Sequence, residues 1–431
     1  MQYNGKFLMA LGLLGGLILT SCHKDVFNED DYTKIIDEAS PVDSVDANHT
    51  WELAQDHVYT VEANVNVGAK SILIFSDNPL TVNAEVMAQS AIEDGGRVML
   101  AATVPTRCSE LYAALVDADG MYSVVSFPVE ATVVDFSNLQ SMNRQRQRPQ
   151  NYGLVQQKLV YCFEEEMPEP GDYDYNDVVL RLSREVVDSR HLKIKVELAA
   201  VGGSRQLAAG LRLVGYQAEN IDSVTIEGDA SFDLGGSHHN VPLQKMASPL
   251  FESSSLLQAG RNGEAFLYLF EDAHWAMGED LDVVNQIFQR KKYNVSKEYS
   301  YDSPILSTRT ETYHVYFKAD QNINGFTPAM FDPFVLSPYY GAVWELHCYR
   351  DRNAQVTREY TMSSKSRNLP WALMIPYASF RYPLEGVNIG FYRNGALFGA
   401  YMNIGCSFGE WARDRNKCLD WYTSPTFNQI F

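Results

Sequence analysis

The chain has 431 residues, 45% of them hydrophobic and 21% charged, a globular composition long enough for two or three domains. Its 35 Lys and Arg against 54 Asp and Glu leave a formal charge of −19, which argues against a nucleic-acid partner, because phosphate binding needs clustered basic side chains. Aromatics reach 12%, with 25 Tyr, a balance that favours strands over helical bundles.

Residues 1–21 read as a secretion signal. Phe7 to Leu19 is an apolar run of 13 residues, too short to span a bilayer but suited to a signal-peptide core. It ends at Leu19-Thr20-Ser21-Cys22, which resembles the bacterial lipoprotein signal. That resemblance implies cleavage before Cys22 and acylation of its thiol and amine, with each buried CH₂ of the acyl chains contributing about 0.8 kcal/mol of anchoring. No later segment is apolar over the roughly 20 residues a transmembrane helix needs. Residues 22–46 are acidic and read as a flexible tether. Acidic residues just after the lipid-bearing Cys resemble the surface-export signals of Bacteroidetes lipoproteins.

Residues 47–136 predict a small β-sandwich. Short β-branched runs around Val58–Val65, Ile72–Phe75 and Val98–Val104 alternate with turn signals such as Asp77-Asn78-Pro79, Glu93-Asp94-Gly95-Gly96 and Asp117-Ala118-Asp119-Gly120. The last strand is expected over Glu130 to Phe136. Residues 137–153, with Arg144, Arg146 and Arg148, read as a solvated basic linker. Residues 154–431 predict a larger β-rich domain. His191 to Ala200 alternates Leu192, Ile194, Val196 and Leu198 with polar residues, as a half-buried antiparallel strand does. Ala208 to Tyr216 and Ser223 to Glu227 continue the pattern. Asn262-Gly263 and Asn394-Gly395 have the chemistry of tight hairpins, since both residues tolerate positive φ. A helix is expected at Gly278 to Gln289 from the spacing of Leu281, Val284 and Phe288.

The segment with chemistry is 159–180, LVYCFEEEMPEPGDYDYNDVVL. It holds Glu164, Glu165, Glu166, Glu169, Asp172, Asp174 and Asp177, and no Lys or Arg. Crowded like charges repel unless water or a cation screens them, and Ca²⁺ accepts six to eight oxygens in a flexible shell. Asp172, Asp174 and Asn176 alternate as in the first half of an EF-hand, but Asp177 stands where an EF-hand has Gly and Ser183 where it has its bidentate Glu. A cation site here recruits ligands from elsewhere, with Glu164 and Glu165 nearest in sequence. The alternative is an acidic turn whose side chains cap the backbone.

Phe163-Glu164-Glu165 followed by Gly171-Asp172-Tyr173-Asp174-Tyr175-Asn176-Asp177-Val178-Val179 resembles the signature of the LruC-domain family of bacterial envelope lipoproteins. The resemblance continues through Phe331-Asp332-Pro333-Phe334, Glu345-Leu346-His347, Asn368-Leu369-Pro370-Trp371-Ala372-Leu373, Phe380-Arg381-Tyr382-Pro383-Leu384-Glu385 and Trp421-Tyr422. It covers residues 157–431. Glu165 departs from the Asp usual in that family, keeping the charge but changing its reach. The resemblance implies an exported, lipid-anchored, β-rich protein with a divalent cation at the acidic motif, and carries no biochemical activity with it.

Other motifs lead nowhere. Gly405-Cys406-Ser407-Phe408-Gly409 fits the nucleophile-elbow pattern, but that fold places its His after the Ser, and the last His is His347. His238-His239 lies in a Gly- and Ser-rich stretch. His274, after Glu271-Asp272, reads as a strand end. The C-terminal aromatics, Trp344, Trp371, Trp411, Trp421, Tyr339, Tyr340, Tyr377 and Tyr382, read as core packing, with sugar stacking as the alternative. Once Cys22 is acylated, five Cys remain, an odd number. Cys406 and Cys418 are the best disulfide candidate; the alternative is that all five are small buried hydrophobes.

The expectation is therefore an all-β chain of two β-sandwich domains on a lipid-anchored tether, at the outer membrane and facing the cell surface. Its function reads as non-enzymatic adhesion or ligand binding, with Ca²⁺ held by Asp172, Asp174, Asn176, Asp177, Glu164 and Glu165. A glycan-binding or glycan-utilisation accessory role is the second reading, and a hydrolase the third. Expected partners are the membrane, through the lipid, and a protein or glycan ligand.

Overall fold

The structure, a computed structural model, describes residues 40–431 apart from 142–145, 151–153, 166–170, 228–242, 247, 281–289, 340, 349–358, 361–368, 391, 394–395, 398 and 404. The predicted signal 1–21 and Cys22 therefore lie outside the described residues. Residues 40–431 form one compact unit, and its architecture is all-β as expected.

Seven of the eight strands of the first sandwich are β1 (Ala54–Glu62), β2 (Ala69–Phe75), β3 (Glu85–Ala91), β4 (Arg97–Pro105), β5 (Glu110–Asp117), β6 (Tyr122–Pro128) and β7 (Val133–Asp135). One sheet has the order β4-β1-β7; the other runs β6-β5-β2-β3 and ends in β8 (Val155–Gln156), parallel to β3. Tyr59, Val61, Leu100 and Ala102 from the first sheet meet Ile72, Ile74, Leu111 and Leu115 from the second in one buried cluster. The β-branched runs read from sequence are the strands that supply this core.

The larger sandwich has two six-stranded sheets. Its strands are β9 (Leu159–Phe163), β10 (Val178–Asp188), β11 (His191–Ala200), β12 (Ala208–Gln217), β13 (Ile221–Glu227), β14 (Leu257–Ala259), β15 (Glu264–Phe270), β16 (Arg309–Phe317), β17 (Phe331–Tyr339), β18 (Ala342–Leu346), β19 (Glu359–Tyr360) and β20 (Ala372–Ile375). The orders are β13-β16-β11-β10-β9-β20 and β14-β15-β12-β17-β18-β19. Alternation places Leu192, Ile194, Val196 and Leu198 of β11 in the core between the sheets, beside Leu211 of β12 and Leu267 of β15. At the β14–β15 connection Asn262 and Gly263 have φ of 61° and 76°, the conformation expected from Asn-Gly. The second predicted hairpin tip, Asn394-Gly395, lies outside the described residues.

Two expectations change. Residues 22–46 are not a free tether throughout: Ser40 and Val42 are buried, and Val42, Trp51 and Leu53 join a second core on the outer face of the β9–β10–β20 end of the first large sheet. The apolar side chains Val42, Trp51 and Leu53, scattered among polar residues, drive that packing. The linker 137–153 is also tied down. Arg146 donates to Asp117 and Asp119, both at 2.6 Å, and Gln147 bridges to Tyr122. Thus Asp117 and Asp119 of a turn signal hold an Arg read as solvated. The helix expected at 278–289 falls mostly outside the described residues, while a short helix, α1 (Ala273–Ala276), precedes it. Its N-cap is Asp272, whose carboxylate accepts from the His274 and Trp275 backbone N–H groups.

The two sandwiches also touch directly. Asp56 accepts from Thr103 Oγ1 at 2.6 Å and from Thr327 Oγ1 at 2.7 Å, joining β1, β4 and the turn before β17.

Candidate functional site

The acidic loop joins β9 to β10. Its first described anchor is Glu164, whose N–H donates to Trp371 O at 2.8 Å. Beyond Gly171 the chain alternates. Tyr173 and Tyr175 turn into the outer core with Tyr382 and Trp421, while Asp172, Asp174 and Asn176 carry the polar set. Both tyrosines have φ of 53°, a left-handed conformation rare for bulky residues. Burial of the two rings and the bond from Tyr175 Oη to Pro370 O, 2.8 Å, offset that strain.

Glu164, Asp172 and Asp174 each place a carboxylate oxygen within 4.8 Å of the others. Glu164 is fully buried; its Oε2 accepts from Tyr175 N at 3.2 Å, but its buried Oε1 has no hydrogen-bond partner among the described residues. Asp174 is held by Asn176 N at 3.1 Å and Gly386 N at 2.8 Å. Burial pushes the Glu164 carboxyl well above its usual range, and the charges of Asp177, Asp172 and Asp174 push it further. Burial, then Asp172 and Glu385, does the same to Asp174. Asp172 is the exposed member of the three, and desolvation by the groups crowded around it raises its carboxyl only against the opposing charge of Lys292. Three acids disfavoured as anions within one coordination radius are what a hard cation relieves.

The other expected ligands divide. Asn176 is close by: its Nδ2 donates to Pro383 O at 3.1 Å, and its buried Oδ1 has no partner. A Cβ added to Gly202 would lie 1.7 Å from that Oδ1, and one added to Gly171 would lie 2.0 Å from Glu164 Oε1. A side chain at either place would push that oxygen out of its present position. Asp177 and Glu165 also have partners of their own. Asp177 Oδ2 accepts from Glu165 N at 2.6 Å. Glu165 pairs with Arg205 at 3.2 Å and accepts from Ser204 N at 3.1 Å, yet burial still holds its carboxyl above the usual range.

Two residues missed in the sequence complete the surroundings. Glu385 lies beside Gly386, and its charge, like that of Asp172, acts on Asp174. Lys292 pairs with Glu385. Burial works against the Lys292 charge, but Glu385, Asp177 and Asp172 outweigh it and raise its pKa. One ammonium thus faces more carboxylates than it can balance. Both residues arrive from more than a hundred positions away in sequence, and only Glu385 lay in a segment that the sequence had singled out.

The remaining candidates are structural. His274 is fully buried, with Nε2 against Gly203 O at 2.8 Å, which props the strand end next to Gly202. Asp272 is held low, at about 2, because His274 and a bidentate bond from Arg290 override its burial. Ser407 caps α2 (Phe408–Arg413): its Oγ accepts from Glu410 N and lies 3.2 Å from Glu410 Oε2. Trp371, Trp411, Trp421 and Tyr382 are 1%, 1%, 0% and 1% exposed, so these rings are core. Cys406 and Cys418 are free thiols: Cys406 Sγ donates to Asp420 Oδ1 at 3.2 Å and Cys418 Sγ to Gly405 O at 3.5 Å. His238-His239 lies outside the described residues.

A second buried charge group lies on the outer face of the other large sheet. His347 is fully buried between Asp332 of β17 and Glu345 of β18, each 2.9 Å from one ring nitrogen. Arg212 of β12 reaches Asp332 at 3.4 Å and Glu264 at 2.6 Å. Burial opposes a charge on His347, yet the two carboxylates prevail and lift it to about 9.

A comparison with curated proteins finds no match. Among solved structures, the chain is similar to a candidate lipoprotein from Bacteroides ovatus at 14% identity and a TM-score of 0.49, covering 84% of this chain and 99% of that one. Residues 188–422 match the family model described as "Domain of unknown function (DUF4842)", a span that holds Lys292, His347 and Glu385 and begins after the acidic loop. The match takes in more than half of the sequence, and the chain belongs to the DUF4842 family.

Proposed function

We propose that this is a non-enzymatic cell-envelope protein, anchored through lipid on Cys22 at the outer membrane, facing the surface, and stiffened by a calcium ion at Glu164, Asp172 and Asp174. The likeness of its motifs to LruC-domain lipoproteins and the apolar run ending at Cys22 support the anchoring. One observation carries the calcium reading: the buried, partnerless Glu164 Oε1 stands within 4.8 Å of carboxylate oxygens from Asp172 and Asp174. The ion would tie the β9–β10 loop to the 383–386 segment, which contacts Asp174 and Asn176. A rigid outer core then supports a surface for adhesion or ligand binding.

Calcium should raise the melting temperature of the chelator-treated protein. At a concentration 100 times the dissociation constant the gain is about 2.7 kcal/mol. Glu164→Gln should remove most of that gain while the protein still melts cooperatively. Identical melting curves with calcium and with chelator would end the calcium reading. Protease added to intact cells tests the location, and full protection would place the protein on the periplasmic side.

A glycan-binding role is the second reading, favoured by three aromatic side chains left in solvent. Tyr299, Tyr301 and Phe427 are 69%, 75% and 73% exposed, and Lys297 links their two segments by donating to Phe427 O. Retention on polysaccharide affinity gels, lost in Tyr301→Ala, would favour it.

A further inference from the structure

The outer face of the β13-β16-β11 end carries a histidine pair that the calcium reading does not use. Inward positions of these strands, Leu192, Ile194, Tyr313 and Val315, fill the core, so alternation sends His191, Lys193, His314, Tyr316, Thr225 and Glu227 to the opposite face. His191 pairs in register with Tyr316, and Lys193 with His314, which makes the two histidines diagonal neighbours. His191 Nε2 and His314 Nδ1 are 2.9 Å apart. His191 stacks on the Tyr316 ring at 4.4 Å.

Glu227 sets the tautomer. Its carboxylate lies 2.9 Å from His314 Nε2, and an ionised carboxylate only accepts, so Nε2 carries the hydrogen. Neutral His314 therefore turns a bare Nδ1 lone pair toward His191. This is the arrangement by which a carboxylate orients a metal-ligating imidazole through its far nitrogen. The spacing fits as well. Two imidazole nitrogens bound at about 2.0–2.1 Å and at right angles to each other stand about 2.9 Å apart, the cis spacing of a tetragonal ion. Lys193 is drawn to Glu227 at 3.9 Å, and His191 lines an open cavity of about 410 Å³ whose two acids, Asp188 and Asp222, are matched by Arg190 and Lys318, and which admits water to the remaining positions.

We propose that His191 and His314, oriented by Glu227 and Tyr316, form a bis-imidazole site for a divalent transition-metal ion of tetragonal preference, of the Cu²⁺ or Ni²⁺ type. On binding, His191 moves its hydrogen from Nε2 to Nδ1, and a turn of the two rings brings both lone pairs onto one ion. No proton is lost, and water from the open cavity supplies the other ligands. The hard-oxygen cluster at Glu164 selects a different class of cation, so the two sites load separately.

The test is a Cu²⁺ titration of the full chain in excess Ca²⁺, followed by electron paramagnetic resonance. The expected signal is one copper with splitting from two nitrogen donors. His191→Phe, which keeps a ring against Tyr316, and His314→Thr should each remove that two-nitrogen pattern, and Glu227→Gln should weaken binding by about 10–100-fold. Far-UV circular dichroism and melting in Ca²⁺ should stay as in the parent, because neither side chain is in the core. A two-nitrogen signal that survives both histidine substitutions, or that disappears instead in His238→Ala/His239→Ala, overturns the proposal. So does the failure of the parent chain to bind copper.

Discussion

At the scale of single residues, His347 shows how a buried charge reports itself in solution. The imidazole has a carboxylate on each nitrogen, so both nitrogens donate only when the ring is protonated. In the unfolded chain it titrates near its ordinary 6.5, and in the folded one at about 9. Its contribution to stability is therefore whole below about pH 6.5 and is lost as pH rises through 9. The difference is on the order of 3 kcal/mol between those limits. His347→Gln, which fits the space but carries no charge, should flatten the fall in melting temperature between pH 6.5 and 9 relative to the parent. Parallel melting profiles across that window would show that the ring is neutral in the folded protein. The same scale explains why the acidic loop was only half legible. The alternation of Asp172, Asp174 and Asn176 with tyrosines is a pattern in sequence, and the fold uses it to separate ligands from core. The release of Glu165 to Arg205, and the arrival of Lys292 and Glu385, depend on how distant segments meet.

At the scale of elements, legibility followed periodicity. β11 alternates cleanly and was read to its residue limits, because one of its faces is buried against β12 and β15 and the other is wet at His191 and Lys193. The tail from Tyr377 to Phe431 has no such period. Outside α2 and a short antiparallel hairpin of Tyr392–Arg393 with Ala396–Leu397, it packs as irregular chain around Tyr401, Phe408, Trp411 and Trp421, and aromatic content predicts its burial but not its path. Within it, α2 sits between the two cysteines. Cys418 takes a left-handed φ of 51°, and the turn at Gly405 brings Cys406 against it. If the chain is exported to an oxidising compartment, as proposed, these thiols should join. The closed loop of 406–418 would then add about 3 kcal/mol by restricting the unfolded chain. Peptide mapping without reductant should recover residues 406 and 418 cross-linked, two hydrogens lighter, with Cys108, Cys162 and Cys348 still alkylatable after unfolding. Alkylation of all five would show the pair to be a hydrogen-bonded dithiol.

At the scale of the molecule, chain order and packing order differ. The residues just before β1 complete the core formed by the last sixty of the chain. Trp51 has φ of 64°, stacks on His49 at 4.0 Å and meets the Trp411 ring at 5.4 Å, while His49 Nε2 reaches Trp411 O at 3.0 Å. Asp46 N donates to Ala412 O at 2.8 Å, which fixes the strap across α2. The first sandwich is thus threaded between two pieces of one core, so a lipid on the preceding chain would pull on the C-terminal body rather than on β1 alone. Trp51→Ala should cost about 3–5 kcal/mol, as large-to-small changes of buried aromatics do. A chain begun at residue 54 should lose stability against one begun at residue 40, with the loss seen in the fluorescence of Trp411 and Trp421 before any change in the first sandwich. If both chains melt together, residues 40–53 lie on the surface of the second core without closing it, and tension from the membrane would act on the small sandwich first.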